Sequence, residues 1–186
     1  MPDRDFFSSS QHVVEELSTV FHQLDAGSVE DFIHAILAAD KVLVVGVGRV
    51  RIALAAFVKR LNHLGIPAWL VGDVNEPPIS NRDLLLIGSG SGESIFPKNI
   101  AICAKKYGAM LAHLTSSPHS SIAEMCDVVV DFHCGSKSGS GIHSIQPMTT
   151  LFEQSLLLFG DMICLQLMRR KGLSVEQVSD QHANLE

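Results

Sequence analysis

The 186-residue sequence has four cysteines, Cys103, Cys126, Cys134 and Cys164, and none forms a CxxC pair or stands at zinc-ligand spacing from a histidine. That argues against a structural zinc site and reads as unpaired thiols in a reducing compartment. Concentrated positive charge is also missing. Fourteen Lys and Arg against twenty Asp and Glu leave a net charge of −6, with the basic residues scattered along the chain. Nucleic acid and anionic membranes are therefore not expected as partners, and any anion must be caught by a local site. There is no uninterrupted apolar run of bilayer length. The stretch "LLLFGDMICLQLM" (156–168) is broken by Asp161 and Gln166 and reads as too short to span. The N-terminus, "MPDRDFFSSSQHVVEEL", has acidic residues and no apolar core of signal-peptide length, so the expected location is the cytoplasm.

What is present is enough apolar residue for a real core. An apolar content of 46% with 18% charge fits one compact domain over residues 1–186. Apolar residues at Val13, Val14, Leu17, Val20, Phe21 and Leu24 have helical spacing, and Ser28 offers a cap for a second helix ending near Ala39. "KVLVVG" (41–46), "AWLVG" (68–72), "DLLLIG" (83–88), "AMLAHLT" (109–115) and "DVVVDF" (127–132) are short apolar runs of the kind buried in parallel sheets. Helices are predicted between them, over about 49–64 and 95–107, with a short one near 120–125. Gly65 and Gly108 sit where a helix stops. Pro147 opens a long helix through about Lys171, closed by Gly172, and Ser174 begins a last short one. Alternating strands and helices predict an α/β three-layer sandwich, a five-stranded parallel sheet flanked by helices. The "SGSG" at 138–141 echoes 89–92 without making a repeat.

Ligands in such sheets collect at the carboxyl ends of the strands. Three strand ends compete. "VVGVGRVR" (44–51) begins like a dinucleotide fingerprint, with Asp73 at a suggestive distance, but Arg51 stands where the third glycine should be. "SGSGES" (89–94) joins a strand to a helix. Glycines permit close backbone approach, and a helix N-terminus offers N–H donors to an anion. The competing reading is a flexible turn with Ser94 as N-cap and Glu93 incidental. "LTSSPHSS" (114–121) is a second hydroxyl-rich strand end, for which an ordinary turn is the alternative. Two such loops on neighbouring strands favour one phosphate cradle.

"GVGR" after the first strand, "SGSGES" after the third and "TSSPHSS" after the fourth resemble the sugar isomerase (SIS) domain family. "KRLNHLG" (59–65), "QPMTTLFEQSLLLFGDMI" (146–163) and "QHANLE" (181–186) are similar to its 6-phospho-3-hexuloisomerase branch over nearly the whole chain. The resemblance implies interconversion of a 3-hexulose 6-phosphate and fructose 6-phosphate, without metal or cofactor, in a homotetramer whose sites are shared between subunits. It places Ser89, Gly90, Ser91, Ser94, Thr115 and Ser116 at the phosphate and Gly48 and Arg49 beside the substrate. Two other readings share these loops: a sugar-phosphate-sensing module without catalysis, and an isomerase for another sugar phosphate such as arabinose 5-phosphate.

Moving a carbonyl between C3 and C2 requires a base and groups that steady charge on oxygen. The resemblance offers Glu153 as the base, although Thr150-x-x-Glu153 also has the pattern of a capping box. It offers His63 and His182 for ring opening or for polarising an oxygen, with His182 reaching a neighbouring subunit's site. A histidine at a helix end is otherwise structural, and one in a tail is solvated. Lys137 lies in a loop that either covers the site or is simply a polar connection. The sequence departs from the family's "GRSG" at Val50 and Arg51, which removes a hydroxyl and adds a charge near the expected site.

Overall fold

The computed structural model describes residues 6–135 and 141–185, so Lys137 lies outside the described residues. The element order is α1 (Phe6–Gln23), α2 (Ala26–Ala38), β1 (Val42–Val45), α3 (Gly48–His63), β2 (Ala68–Leu70), β3 (Leu84–Gly88), α4 (Ile95–Lys106), β4 (Met110–Thr115), a 3-10 turn (Ala123–Met125), β5 (Val128–Asp131), α5 (Thr150–Arg170) and α6 (Val175–Ser179). The five strands are parallel, in the order β2-β1-β3-β4-β5. This is the expected α/β sandwich.

The strands are short, apolar and buried because both faces are covered. Alternate residues divide the core. Val42, Val44, Leu84, Leu86, Ala112 and Leu114 pack with α2, α3 and α5. Leu43, Val45, Leu85, Ile87 and Leu111 pack with Ala101 and Ala104 of α4 and with Ile122. The first face holds the larger cluster, because α5 lies against α3 there. A Cβ on Gly160 would come within 3.1 Å of the Phe57 ring, so this glycine sets how closely the two helices approach. Truncating a core side chain such as Leu54, 1% exposed, would cost about 2–5 kcal/mol.

At the amino ends of the strands, Asp83 is 2% exposed and accepts hydrogen bonds from Lys41 Nζ (2.8 Å), Ser80 N (2.6 Å) and Ser80 Oγ (2.7 Å). These ties clamp the turn that enters β3 to the start of β1. Burial by itself would raise the Asp83 pKa, but the Lys41 and Ser80 hydrogen bonds outweigh it and hold the carboxyl below its ordinary value.

Local differences from the sequence reading have simple causes. Asp25, not Ser28, caps α2: its carboxylate accepts from Ser28 N at 2.7 Å, and a charged acceptor at N-cap outcompetes a hydroxyl three residues on. The long C-terminal helix starts at Thr150 rather than Pro147, because the Pro147 carbonyl is taken by the Thr150 hydroxyl (2.7 Å) and Met148 is held at φ 56°. The segment near 120–125 forms only the single 3-10 turn. Gly65, Gly108 and Gly172 do stop their helices, all at positive φ. Ser174 caps α6 with a full capping box. By length and hydropathy alone α5 could cross a bilayer, contrary to the sequence reading. Nine of its residues, from Leu151 to Leu167, are instead buried in the core.

Candidate active site

The sheet order reverses between β1 and β3: the chain leaves β1 toward β2 on one side and returns to β3 on the other. In an open parallel sheet, that point leaves a crevice at the carboxyl ends of the two strands. Three helix N-termini meet beside it. α3 follows β1 through "GVG", α4 follows β3 through "SGSGES", and α5 arrives from the last loop. Close packing brings them together. A Cβ on Gly88, at the end of β3, would lie 2.6 Å from Leu54 Cδ1 and 2.9 Å from Val50 Cγ1, so only glycine lets α3 settle onto the strand ends. A Cβ on Gly90 would lie 3.1 Å from the Phe152 ring, which places the first turn of α5 against the β3–α4 loop.

Three carbonyls of that loop, those of Ser89, Gly90 and Gly92, are turned into the protein. The Ser89 carbonyl accepts from Gly92 N (3.1 Å) and lies 3.2 Å from His113 Nε2. The Gly90 carbonyl accepts from Ser116 N (3.1 Å) and Thr115 Oγ1 (3.3 Å), and that of Gly92 accepts from Ile122 N (3.2 Å). Gly92 adopts φ 63°, and a side chain there would strike Ser120 Oγ at 1.8 Å. The loop is held this way by the second hydroxyl-rich segment. Glu93 fastens the two, accepting from Ser121 N at 2.7 Å and from Lys98 Nζ at 3.2 Å. The Ser121 hydrogen bonds, then Lys98, hold the Glu93 carboxyl below its ordinary value. With these carbonyls turned inward, and with Ser89 N, Gly92 N and Glu93 N paired within the protein, the N–H groups of Gly90, Ser91 and Ser94 are the ones the loop can present, at the opening of α4, where the helix dipole adds about half a positive charge. That arrangement suits an anion.

The sequence-predicted phosphate residues divide into two groups. Ser89, Thr115 and Ser116 form the frame. Ser89 Oγ is buried, donating to Ser94 Oγ (3.1 Å) and accepting from Gly92 N (3.2 Å). Thr115 Oγ1 also accepts from Ser117 N (3.0 Å), and Ser116 Oγ is buried beside the Cys134 thiol. Gly90, Ser91 and Ser94 lie nearer the surface. Ser94 occupies the N-cap position of α4 but makes no side-chain cap hydrogen bond, so the expected capping role is not taken up.

Glu153 lies in the first turn of α5, its side chain 11% exposed. The capping box does not form. The N-cap is Thr149, and Thr150 donates to Pro147 instead. The Glu153 carboxylate accepts from Thr149 Oγ1 (2.8 Å) and from Arg49 Nε in a short ion pair that joins the openings of α3 and α5. Gly48, with Val47 before it, begins α3 at φ 57° and places Arg49 there. The two departures at 50 and 51 fall away from this pair. Val50 is turned down onto Gly46 and Gly88. Arg51 is paired with Asp73 at 2.9 Å, which also occupies the acid that a dinucleotide ribose would need.

His63 and His182 come together, with ring centroids 5.3 Å apart. They do so at the far end of α3, a 16-residue helix that carries them about 22 Å from Gly48. Within one chain they are not beside Glu153. His63 is buried, its Nδ1 3.4 Å from Arg60 Nη1, whereas His182 is exposed. Among the described residues no three His, Cys, Asp or Glu side chains are grouped to hold a metal.

Three participants were not foreseen from the sequence. Glu93 and His113 act across loops 28 and 24 residues apart. Glu16 of α1 accepts from Ser144 Oγ (2.6 Å), Ile145 N (2.6 Å) and Gln146 Nε2 (3.2 Å), and so fastens the loop that leads into α5. Only the position of Glu93 inside a candidate loop could have marked it. Nothing local distinguishes Glu16 from its helix neighbours.

Several proteins similar to this chain are named as sugar-phosphate isomerases. The chain is 40% identical over 153 residues to the 3-hexulose-6-phosphate isomerase of Bacillus subtilis, covering 81% of this chain and 83% of the relative. It is 33% identical to the enzyme of the same name from Mycobacterium gastri, covering 98% and 92%. The crystal structure of a Methanococcus jannaschii protein, reported to infer a 3-hexulose-6-phosphate isomerase function, superposes with a TM-score of 0.83 at 26% identity, covering 95% and 98%. Residues 35–159 match the SIS domain model. With both strand-end loops, the sheet order and the sequence in agreement, the chain belongs to the SIS domain family.

Proposed function

We propose that this protein interconverts a 3-hexulose 6-phosphate and fructose 6-phosphate. The observation that carries the reading is the Glu153 carboxylate: nearly covered, outside any capping box, and set beside the inward-turned loop at the switch point of the sheet. The phosphate binds the N–H groups of the β3–α4 loop with Ser91 and Ser94. Glu153, once released from Arg49, takes the proton from C2 of the 3-ketose. The electron pair moves onto O3, which takes up a proton to give a 2,3-enediol; O2 then gives up its proton as the same carboxyl returns the first one to C3, leaving the carbonyl at C2. Arg49 and the Thr149 hydroxyl are placed to steady the oxygen that gains charge. No redox partner is needed, because one carbon is oxidised as its neighbour is reduced.

The remaining features of the reading are oligomeric. Leu158, Met162 and Leu165 are 40–43% exposed and recur along one side of α5, a face suited to a second copy of the chain. In a homotetramer the His63–His182 pair would complete a neighbour's site. The lack of nucleic-acid or anionic-membrane partners is consistent with the charge of −6, and a cytoplasmic location belongs to the same reading.

The test is a coupled assay for fructose 6-phosphate formed from 3-hexulose 6-phosphate, run beside a thermal-shift screen of sugar phosphates. Turnover is expected. A thermal shift by sugar phosphates without turnover would replace this reading with a sensor or with an isomerase for another sugar, arabinose 5-phosphate among them.

A further inference from the structure

One residue beneath the cradle is unusual. β4 reads Leu111, Ala112, His113, Leu114, and His113 is 0% exposed in the middle of it. In register it lies beside Ile87 of β3, and its side chain is on the α4 side with Leu111 and Thr115. An aliphatic residue would fill such a place at lower cost. Among the described residues the imidazole has one polar contact, Nε2 at 3.2 Å from the Ser89 carbonyl, and its Nδ1 is buried without a hydrogen-bond partner. Because a carbonyl only accepts, Nε2 carries the proton and Nδ1 the lone pair. Burial pushes the His113 pKa down to about 4, against a smaller opposing effect of the Ser89 hydrogen bond, so the ring is neutral at ordinary pH. The ring also supports the loop from below: a Cβ on Gly92 would lie 3.1 Å from His113 Cε1.

A buried imidazole with an unsatisfied nitrogen is destabilising, so its retained contact is informative. Of the three loop carbonyls turned inward, those of Gly90 and Gly92 are held by backbone donors, and Thr115 adds a hydroxyl. Among the described residues, the carbonyl of Ser89 is held only by Gly92 N, within the loop itself, and by His113. If it turned outward, its negative end would face the bound anion. We propose that His113 is a positioning residue of the anion cradle, whose Nε2–H holds the Ser89 carbonyl away from the phosphate and so keeps the loop's N–H groups directed at it. This rests on the reading of the loop as a phosphate cradle.

The test compares His113→Leu and His113→Met, which remove the donor, with His113→Gln, which keeps an N–H at similar reach. Fructose 6-phosphate affinity is measured by calorimetry, and amide exchange of Gly92 is followed by NMR relative to Leu86 in β3, without ligand. The donor-less variants are expected to bind about five- to tenfold more weakly, the loss of one hydrogen bond. Gly92 exchange should rise relative to Leu86, and His113→Gln should stay within about twofold of the parent. Wild-type affinity and an unchanged exchange ratio in whichever donor-less variant folds would overturn the inference. So would a lowered Tm with affinity retained, the mark of a purely structural histidine. If the parent protein binds no fructose 6-phosphate, the isomerase reading fails separately, and the exchange ratio alone decides whether His113 holds the loop.

Discussion

The two ends of α3 carry opposite chemistry. Its N-terminal end has Arg49 against Glu153 and lies beside the inward-turned β3–α4 loop, where helix dipoles favour an anion. Its C-terminal end has two imidazoles 5.3 Å apart beside Arg60, where the dipole favours positive charge. The first end is assembled entirely within one chain, from loops after β1, β3 and β4 and the first turn of α5. The second joins the last turn of α3 to a tail residue that is exposed. The difference teaches that a helix connects the two groups without bringing them to one substrate. Only a second copy of the chain could do that.

The sharpest way to break this comparison is Glu153→Gln. It should leave fructose 6-phosphate binding in place and reduce turnover by about 10²–10⁴-fold, the range for a lost general base. A fully active variant would return Glu153 to a structural role. Next is His182→Ala, expected to lower kcat by about tenfold or more if the far end serves a neighbour's site, with the oligomer unchanged by light scattering. Unaltered kcat would make the His63–His182 contact a local one.

A smaller effect concerns the loop before α5. Burial alone would raise the Glu16 pKa, but hydrogen bonds from Ser144, Ile145 N and Gln146 hold it below 4.5. The sign follows from linkage: a depressed carboxyl contributes stability above its unfolded value, and this is lost as pH falls through the folded one. Protection of the Ile145 amide, corrected for the intrinsic exchange rate, should therefore fall below about pH 4.5 by more than that of strand amides, and Glu16→Gln should remove that extra dependence. The smallest effect is expected for Arg51→Ala. The Arg51–Asp73 pair is half-exposed, so stability should change by less than about 1 kcal/mol, read from urea denaturation, with KM within about twofold. A large loss of affinity would place Arg51 at the substrate after all.

Much of this was legible in the chain. Short β-branched and leucine runs separated by helical spacing specify a buried parallel sheet, because such segments must lose both faces to solvent. Glycines at 65, 108 and 172 end helices because the chain there turns left-handed. The hydroxyl-rich strand ends marked the site, since ligands gather where parallel strands stop. By itself, then, the sequence determined the layers, the strand ends that matter and the candidacy of Glu153. Tertiary structure decided the use of those residues. It seated Ser89 and Thr115 in the frame, tied the two loops through Glu93 and placed the neutral His113 under the Ser89 carbonyl. It also gave Glu153 to Arg49 and Thr149 rather than to a cap, and put His63 and His182 a helix length away. Each of these is a contact between segments far apart in the chain, with geometry set by packing onto one sheet, and local patterns of residues do not encode such distances.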